Sequence, residues 1–172
     1  YGLVGSEMCI RDSNWTVPTP IYRNDASLLN GNKQLAATAS GGVGMSLDMT
    51  YFQDADGRSY YAWQQLGATY IATMDPKDPA HVTSSPVRIV TPEYAWNAAI
   101  AEGPNVTLRD GKLYLMFSGS GVGKTYTTGL AVADASGTDL TDPASWTVLN
   151  YPIQKSGPFN GEMQLGTGHG MW

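Results

Sequence analysis

A duplicated hairpin constrains this chain more than any other feature. One copy reads D-M-T-Y-F over residues 48–52, then the turn D-A-D-G over 54–57, then R-S-Y-Y-A-W over 58–63. The other reads E-G-P-N-V over 102–106, then the turn R-D-G over 109–111, then K-L-Y-L-M-F over 112–117. Asp48 lies nine positions before Gly57 and Glu102 nine before Gly111, so the copies are offset by 54 residues. Apolar and aromatic runs joined across an acidic glycine turn are hairpins. A hairpin unit recurring at that interval marks a propeller blade. Acids at matching blade positions face one central axis, where two carboxylates can work as acid and base on one bond. The pattern predicts an enzyme.

The 172 residues suffice for one ordinary domain, and a hydrophobic share of 42% supplies its core. A net charge of −5 with no Lys/Arg cluster argues against a nucleic-acid partner. No apolar run approaches the roughly 20 residues of a membrane-spanning helix, so no membrane partner is expected. Ten Tyr and five Trp against three Phe suit a wet pocket with apolar faces, as for a sugar. Twenty Gly and ten Pro fit a turn-rich β fold. Cys9 stands alone, which excludes an internal disulfide and says nothing of redox compartment.

Residues 1–13, Y-G-L-V-G-S-E-M-C-I-R-D-S, share no periodicity with the rest of the chain. The stretch E-M-C-I-R-D resembles a translated sequencing adaptor, so the segment is set aside from fold reasoning as a cloning scar would be. It lacks the apolar core of a signal peptide. The native start is therefore expected upstream, and Trp172 ends the chain in mid-motif. Residues 14–172 read as a partial β-propeller, about two full blades plus parts of two others. The first full blade comprises strands at 49–53, 59–65, 69–74 and 87–90, with D-P-K-D-P at 75–79 as a break, after a strand near 17–22. The second comprises 104–108, 112–118, 128–133 and 146–149. Residues 150–165 read as a loop, and G-T-G-H-G-M-W at 166–172 opens a third copy with His169 where the acids stood. No segment shows a 3.6-residue period, so the class is all-β and antiparallel.

Four motifs in order carry a resemblance: L-D-M-T-Y-F with its D-G-R-x-Y-Y-x-W hairpin, A-E-G-P at 101–104, D-P-A-S-W at 142–146 and G-x-G-H at 166–169. The run from Asp48 to the end resembles the middle blades of glycoside hydrolase family 43. Those are five-bladed propellers comprising arabinofuranosidases, arabinanases and β-xylosidases. The resemblance implies that Glu102 is the general acid and that Asp48 raises its pKa and orients it. A nearby like charge lifts the pKa of a proton donor toward neutrality, which agrees with that division. Taken singly, Asp48 also reads as a turn cap and Glu102 as a solvated surface acid.

The family inverts, using a third carboxylate as base, in the blade before Asp48. One repeat before Asp48 falls ahead of residue 1. Asp12 lies in the adaptor-like stretch and Asp25 in a loop without strand pattern. The chain is therefore expected to lack its general base and to be inactive by itself. His169 resembles an axial histidine that helps hold a metal ion or water beneath the sugar, for which Ca²⁺ suits better than zinc. No organic cofactor is implied. Thr167 and Gly170 depart from the proline and asparagine common in that motif.

Tyr94 and Trp96, in the loop leading to Glu102, and Trp172 are candidates to bind sugar with His169. Trp63 reads as core. S-G-S-G-V-G-K-T at 118–125 nearly spells a P-loop, but Ser118 replaces the first glycine and a strand comes next instead of a helix. D-A-D-G reads as a hairpin turn and not a calcium loop. The expected substrate is an arabinose- or xylose-containing polysaccharide, met outside the cell. A non-catalytic sugar-binding propeller is the alternative.

Overall fold

The computed structural model describes residues 21–26, 29 and 46–172. The adaptor-like segment and most of the strand expected near 17–22 lie outside the described residues. Tyr22 does form a parallel bridge to His81.

Every strand pairing described inside a sheet is antiparallel. The first sheet is built from β1 (Leu47–Gln53), β2 (Ser59–Gln65), β3 (Ala68–Asp75), β4 (Asp78–Val82) and β5 (Val87–Val90) in the order β1-β2-β3-β4, with β5 also on β3. The second runs β6 (Ala101–Arg109), β7 (Lys112–Gly119), β8 (Thr127–Asp134) and β9 (Thr147–Val148) in that order. A separate hairpin joins β10 (Gly157–Phe159) to β11 (Glu162–Gln164).

Two sequence expectations change here. Pro76 and Lys77 make only a tight turn, and the second proline, Pro79, sits inside β4. An edge strand tolerates a residue without an N–H. β4 takes one end of β3 (Met74↔Val82) and β5 the other (Thr69↔Val90), so two short strands share the outer edge. Residues 150–165 are not a plain loop, since they contain the β10–β11 hairpin.

Side chains alternate across β2 as a strand requires. Tyr60 and Ala62 face the second sheet in one core with Phe52, Ile71, Leu113, Leu115, Phe117 and Trp146. Trp63 points the other way into a smaller cluster with Leu29, Ala72 and Val82, so its expected core role holds. A buried leucine-sized or aromatic side chain contributes about 1.5–3 kcal/mol, and this double layer supplies the stability on which the site rests.

The D-A-D-G turn fastens the two sheets. Asp54, with a fully buried side chain, accepts hydrogen bonds from Asp56 N (3.0 Å), Arg58 N (2.8 Å), Arg58 Nε (2.7 Å) and Tyr60 Oη (3.1 Å). Arg58 Nη2 then donates to Thr138 O (2.7 Å), and Gly137 N donates to Asp56 Oδ2 (2.8 Å). Both Asp54 oxygens are occupied by these donors, which confirms a hairpin turn.

Candidate active site

The acids stand where the innermost strands begin, and each strand is bent there. On β6, Glu102 opposes Ser118 and Asn105 opposes Met116, so Gly103 and Pro104 together face one residue of β7. On β1, Leu47 opposes Gln64 and Thr50 opposes Ala62, so Asp48 and Met49 share the space beside Trp63. Such bulges bend a strand and re-aim its side chains. The first bulge residue is left-handed in both, with φ 56° at Asp48 and 58° at Gly103, and His169 takes the same conformation at 58°. Asp tolerates this backbone better than most side chains do.

Pairing corrects the register expected from residue counting. Asp48 is structurally equivalent to Gly103, and Glu102 to Leu47, so the acids are one position apart rather than matched. The equal nine-residue interval arises because β6 has 9 residues against 7 in β1, while its turn is shorter. The offset gives the carboxylates different surroundings. Glu102 is 8% exposed, whereas Asp48 is open to solvent.

Asp48 Oδ2 accepts a hydrogen bond from Gly103 N at 3.2 Å, so it holds the backbone just after Glu102. Gly103 is required twice over. Its φ is positive, and a Cβ there would lie 3.1 Å from His169 Nδ1 and 3.5 Å from Ser118 Oγ.

Glu102 is held by Tyr126, a residue that sequence reading passed over as part of a strand. Tyr126 Oη donates to Glu102 Oε1 at 2.5 Å and lies 3.2 Å from His169 Nδ1. With Glu102 ionised, the single phenolic proton goes to the carboxylate, and His169 must donate from Nδ1. With Glu102 protonated the chain can reverse, and Tyr126 donates to His169 instead. Burial pushes the Tyr126 phenol far above its usual value; the bond to Glu102 and the charges of Glu102 and Asp48 add to this, and the Ser118 contact opposes it. Tyr126 therefore stays a neutral donor. Ser118 Oγ accepts from His169 N at 2.5 Å and fixes the histidine segment. A Cβ at Gly168 would run into the Tyr126 ring, so the aromatic face rests on that backbone. No sequence signal singled out Tyr126, because its partners are 24 and 43 positions away.

Beside them lies a cleft of about 330 Å³ bordered by Asp48, Met49, Gly103, Asn105, His169 and Met171 among others; Glu102 is next to Gly103 in its wall but does not line it. Of the sequence-predicted residues, Asp48 and His169 line it, and Glu102 is linked to His169 through Tyr126 and to Asp48 through the backbone of Gly103. Trp172 instead borders a hollow of about 460 Å³ with Thr107, Arg109 and Tyr114, its Nε1 donating to Asn105 O at 3.0 Å. Tyr94 and Trp96 stack at 6.1 Å beside the short 3-10 turn Ala95–Asn97, and Trp96 also packs on Phe117. Trp96 lines a third hollow, not the cleft of the acids. Among the described residues, no three His, Cys, Asp or Glu side chains, His169 included, come together to hold a metal. The P-loop-like segment leads into β8, as its sequence suggested.

Residues 32–172 match the family profile of the Glycosyl hydrolases family 43. The extracellular exo-alpha-(1->5)-L-arabinofuranosidase of Streptomyces chartreusis is 33% identical over 135 residues, covering 72% of this chain and 39% of that protein. Alpha-L-arabinofuranosidase 43 of Humicola insolens is 32% identical over 135 residues, covering 72% and 27%. The crystal structure of alpha-L-arabinofuranosidase from Lactobacillus brevis superimposes with a TM-score of 0.65 at 30% identity, covering 74% of this chain and 40% of that one. The chain thus spans less than half the length of the relatives it matches. The profile extends over both sheets, the E-G-P bulge and the histidine segment, and the chain belongs to glycosyl hydrolase family 43.

Proposed function

We propose that the complete protein hydrolyses α-L-arabinofuranosyl linkages of plant polysaccharide with inversion, and that Glu102 is its general acid. The observation that carries this is a buried carboxylate hydrogen-bonded to the neutral Tyr126 phenol, one residue from the Gly103 that borders an open cleft. A proton donor needs to be shielded from water yet close to the leaving oxygen; Glu102 is shielded, and the adjacent Gly103 borders the cleft. Asp48 adds negative charge to the same cleft and anchors Gly103, which orients the acid. The arabinofuranosidase names of the Streptomyces chartreusis and Lactobacillus brevis proteins favour that sugar. β-Xylosyl linkages are the second choice, favoured by a Bacteroides thetaiotaomicron endo-1,4-beta-xylanase structure with a TM-score of 0.59 at 25% identity.

An inverting enzyme needs a base roughly 6.5–9.5 Å from the acid, with room for water between them. Of the residues lining the cleft, only Asp48 is acidic. On this reading the base belongs to another blade of a five-bladed ring, and residues 1–172 alone do not hydrolyse glycosides. Non-catalytic sugar binding is the alternative favoured by the same observation. The chemistry needs no organic cofactor. A calcium ion near His169 would depend on backbone and water oxygens, and no step runs through it. A polymeric substrate implies work outside the cell, in keeping with the extracellular Streptomyces relatives.

The test is Glu102→Gln in the complete enzyme, with proton NMR of the first-formed anomer in the unmodified one. A loss of about 10²–10⁴-fold on unactivated arabinofuranosides, with inverted product, is expected. Unchanged turnover in Glu102→Gln would exclude Glu102 as the acid, and retained configuration would exclude the mechanism.

A further inference from the structure

The P-loop-like segment forms one wall of a second cleft that the acid chemistry does not use. This hollow of about 270 Å³ is bordered by Trp96, Ser120, Lys124, Thr125, Thr127 and Lys155. Its frame is built before any ligand arrives. Ser156 Oγ donates to Lys124 O at 2.6 Å and accepts from Gly166 N at 3.0 Å, tying the loop to the non-strand segment that carries His169. Ser120 Oγ donates to Thr125 Oγ1 at 3.1 Å across the loop. Trp96 is fixed by its Nε1 bond to Asn150 O at 3.1 Å and lies close over Gly129, where a Cβ would come within 2.6 Å of its ring.

The lining joins three chemistries. Trp96 offers an apolar aromatic edge, Ser120 and Thr125 offer hydroxyl oxygens, and Lys124 and Lys155 offer two exposed ammonium groups, while buried Thr127 turns its hydroxyl to Gly119 O at 3.1 Å. Neither lysine forms a salt bridge among the described residues, whereas Lys112 is paired with Asp134. In a chain of net charge −5, two unpaired cations at one hollow are a local exception that favours an anion within a Debye length. A nucleotide is a poor fit, since no helix N-terminus faces the loop to receive phosphate.

The cleft also shares its frame with the acid site. Thr127 opposes Gly119, and their sequence neighbours Ser118 and Tyr126 hold His169 and Glu102. Both hollows therefore open at the same end of the second sheet. We propose that this cleft binds a carboxylate-bearing sugar, a uronic-acid unit of the polysaccharide whose neutral linkage is presented to Glu102. This rests on the glycoside-hydrolase reading and adds an anionic branch to its substrate class. The sugar ring lies against Trp96, its hydroxyls meet the Ser and Thr oxygens, and its carboxylate sits between the lysines.

Isothermal titration of the full chain tests this, with glucuronosyl-substituted xylotriose and plain xylotriose as probes. Exposed charge pairs are individually weak, so a preference of about fivefold for the charged probe is expected, falling toward none at about 0.5 M salt. Lys124→Ala/Lys155→Ala, on exposed loops, should abolish the preference and leave plain xylotriose binding unchanged. Equal affinity for both probes overturns the proposal, as does a preference that survives the double substitution. Displacement by inorganic phosphate at equal concentration would reveal a general anion patch and overturn the sugar assignment. In the complete enzyme, the ratio of kcat/KM for charged and neutral substrates should fall by a similar factor in Lys124→Glu/Lys155→Glu. An unchanged ratio with normal arabinofuranoside hydrolysis would reject the cleft and leave the hydrolase reading standing. Loss of all hydrolysis in the unsubstituted enzyme would instead reject that reading.

Discussion

Replacing Tyr126 by Phe removes one oxygen and keeps the ring that rests on Gly168. The missing hydroxyl is the one 2.5 Å from Glu102 Oε1 and 3.2 Å from His169 Nδ1, at a residue that is 5% exposed. Water cannot easily take its place at so buried a position. A hydrogen bond to a charged group is worth about 1.5–3 kcal/mol, which converts to a fall in kcat/KM of roughly 10- to 150-fold if that bond positions the acid in the transition state. The assay compares two arabinofuranosides in the complete enzyme, one with an alkyl leaving group and one with 2,4-dinitrophenolate. The alkyl oxygen must be protonated as it departs, whereas the nitrophenolate leaves without help. Tyr126→Phe should therefore impair the alkyl substrate strongly and the nitrophenyl one little, with the loss mainly in kcat. Equal losses on both substrates would refute action through Glu102. A kcat/KM within about twofold of the unsubstituted enzyme on the alkyl substrate would refute the positioning role altogether.

Gly103→Ala forces a left-handed alanine and presses a methyl on His169; a stability loss of about 1–2 kcal/mol by urea unfolding is expected, with a larger proportional loss of activity. Full activity with lowered stability would detach that bulge from catalysis. Asp54→Asn places an amide donor against Arg58 and Tyr60 at a fully buried turn; because Arg58 can regain water, a loss of about 2–4 kcal/mol is expected, and less than about 0.5 kcal/mol would show that the turn does not fasten the sheets. Burial and the Asp54 charge push Tyr60 from 10.0 up to about 12, so its contribution is whole below pH 10 and is lost as pH rises through about 12. That difference amounts to roughly 2–3 kcal/mol, and Tm should drop across this window; Tyr60→Phe should flatten the drop, and an unchanged slope would rule Tyr60 out as its source.

Much of the chain was legible because its signals are local. The D-A-D-G and R-D-G turns, the flanking aromatic runs and Trp63 as core depend on neighbouring residues and a period of two. So did the rejection of the P-loop reading, since the strand after it is written in its own residues. Pro79 misled because proline excludes a strand only where its N–H is needed, and an edge does not need it. The β10–β11 hairpin was missed because its two strands have only three residues each, too short for a period to show.

Tertiary structure alone decided the register of the acids and the group that serves Glu102. Counting to a turn glycine cannot register a bulge or a shortened turn, so Asp48 and Glu102 looked equivalent until pairing set them one position apart. Glu102 comes before the bulge of its strand and is buried, whereas Asp48 sits within the bulge of its own and is exposed. Tyr126 reaches Glu102 and His169 only when the starts of β6 and β8 meet the segment after β11, and no local pattern encodes a contact between residues so far apart in sequence. The residue types able to do acid chemistry were written in the chain, and which of them are shielded, held and joined by hydrogen bonds was set by how the two sheets pack.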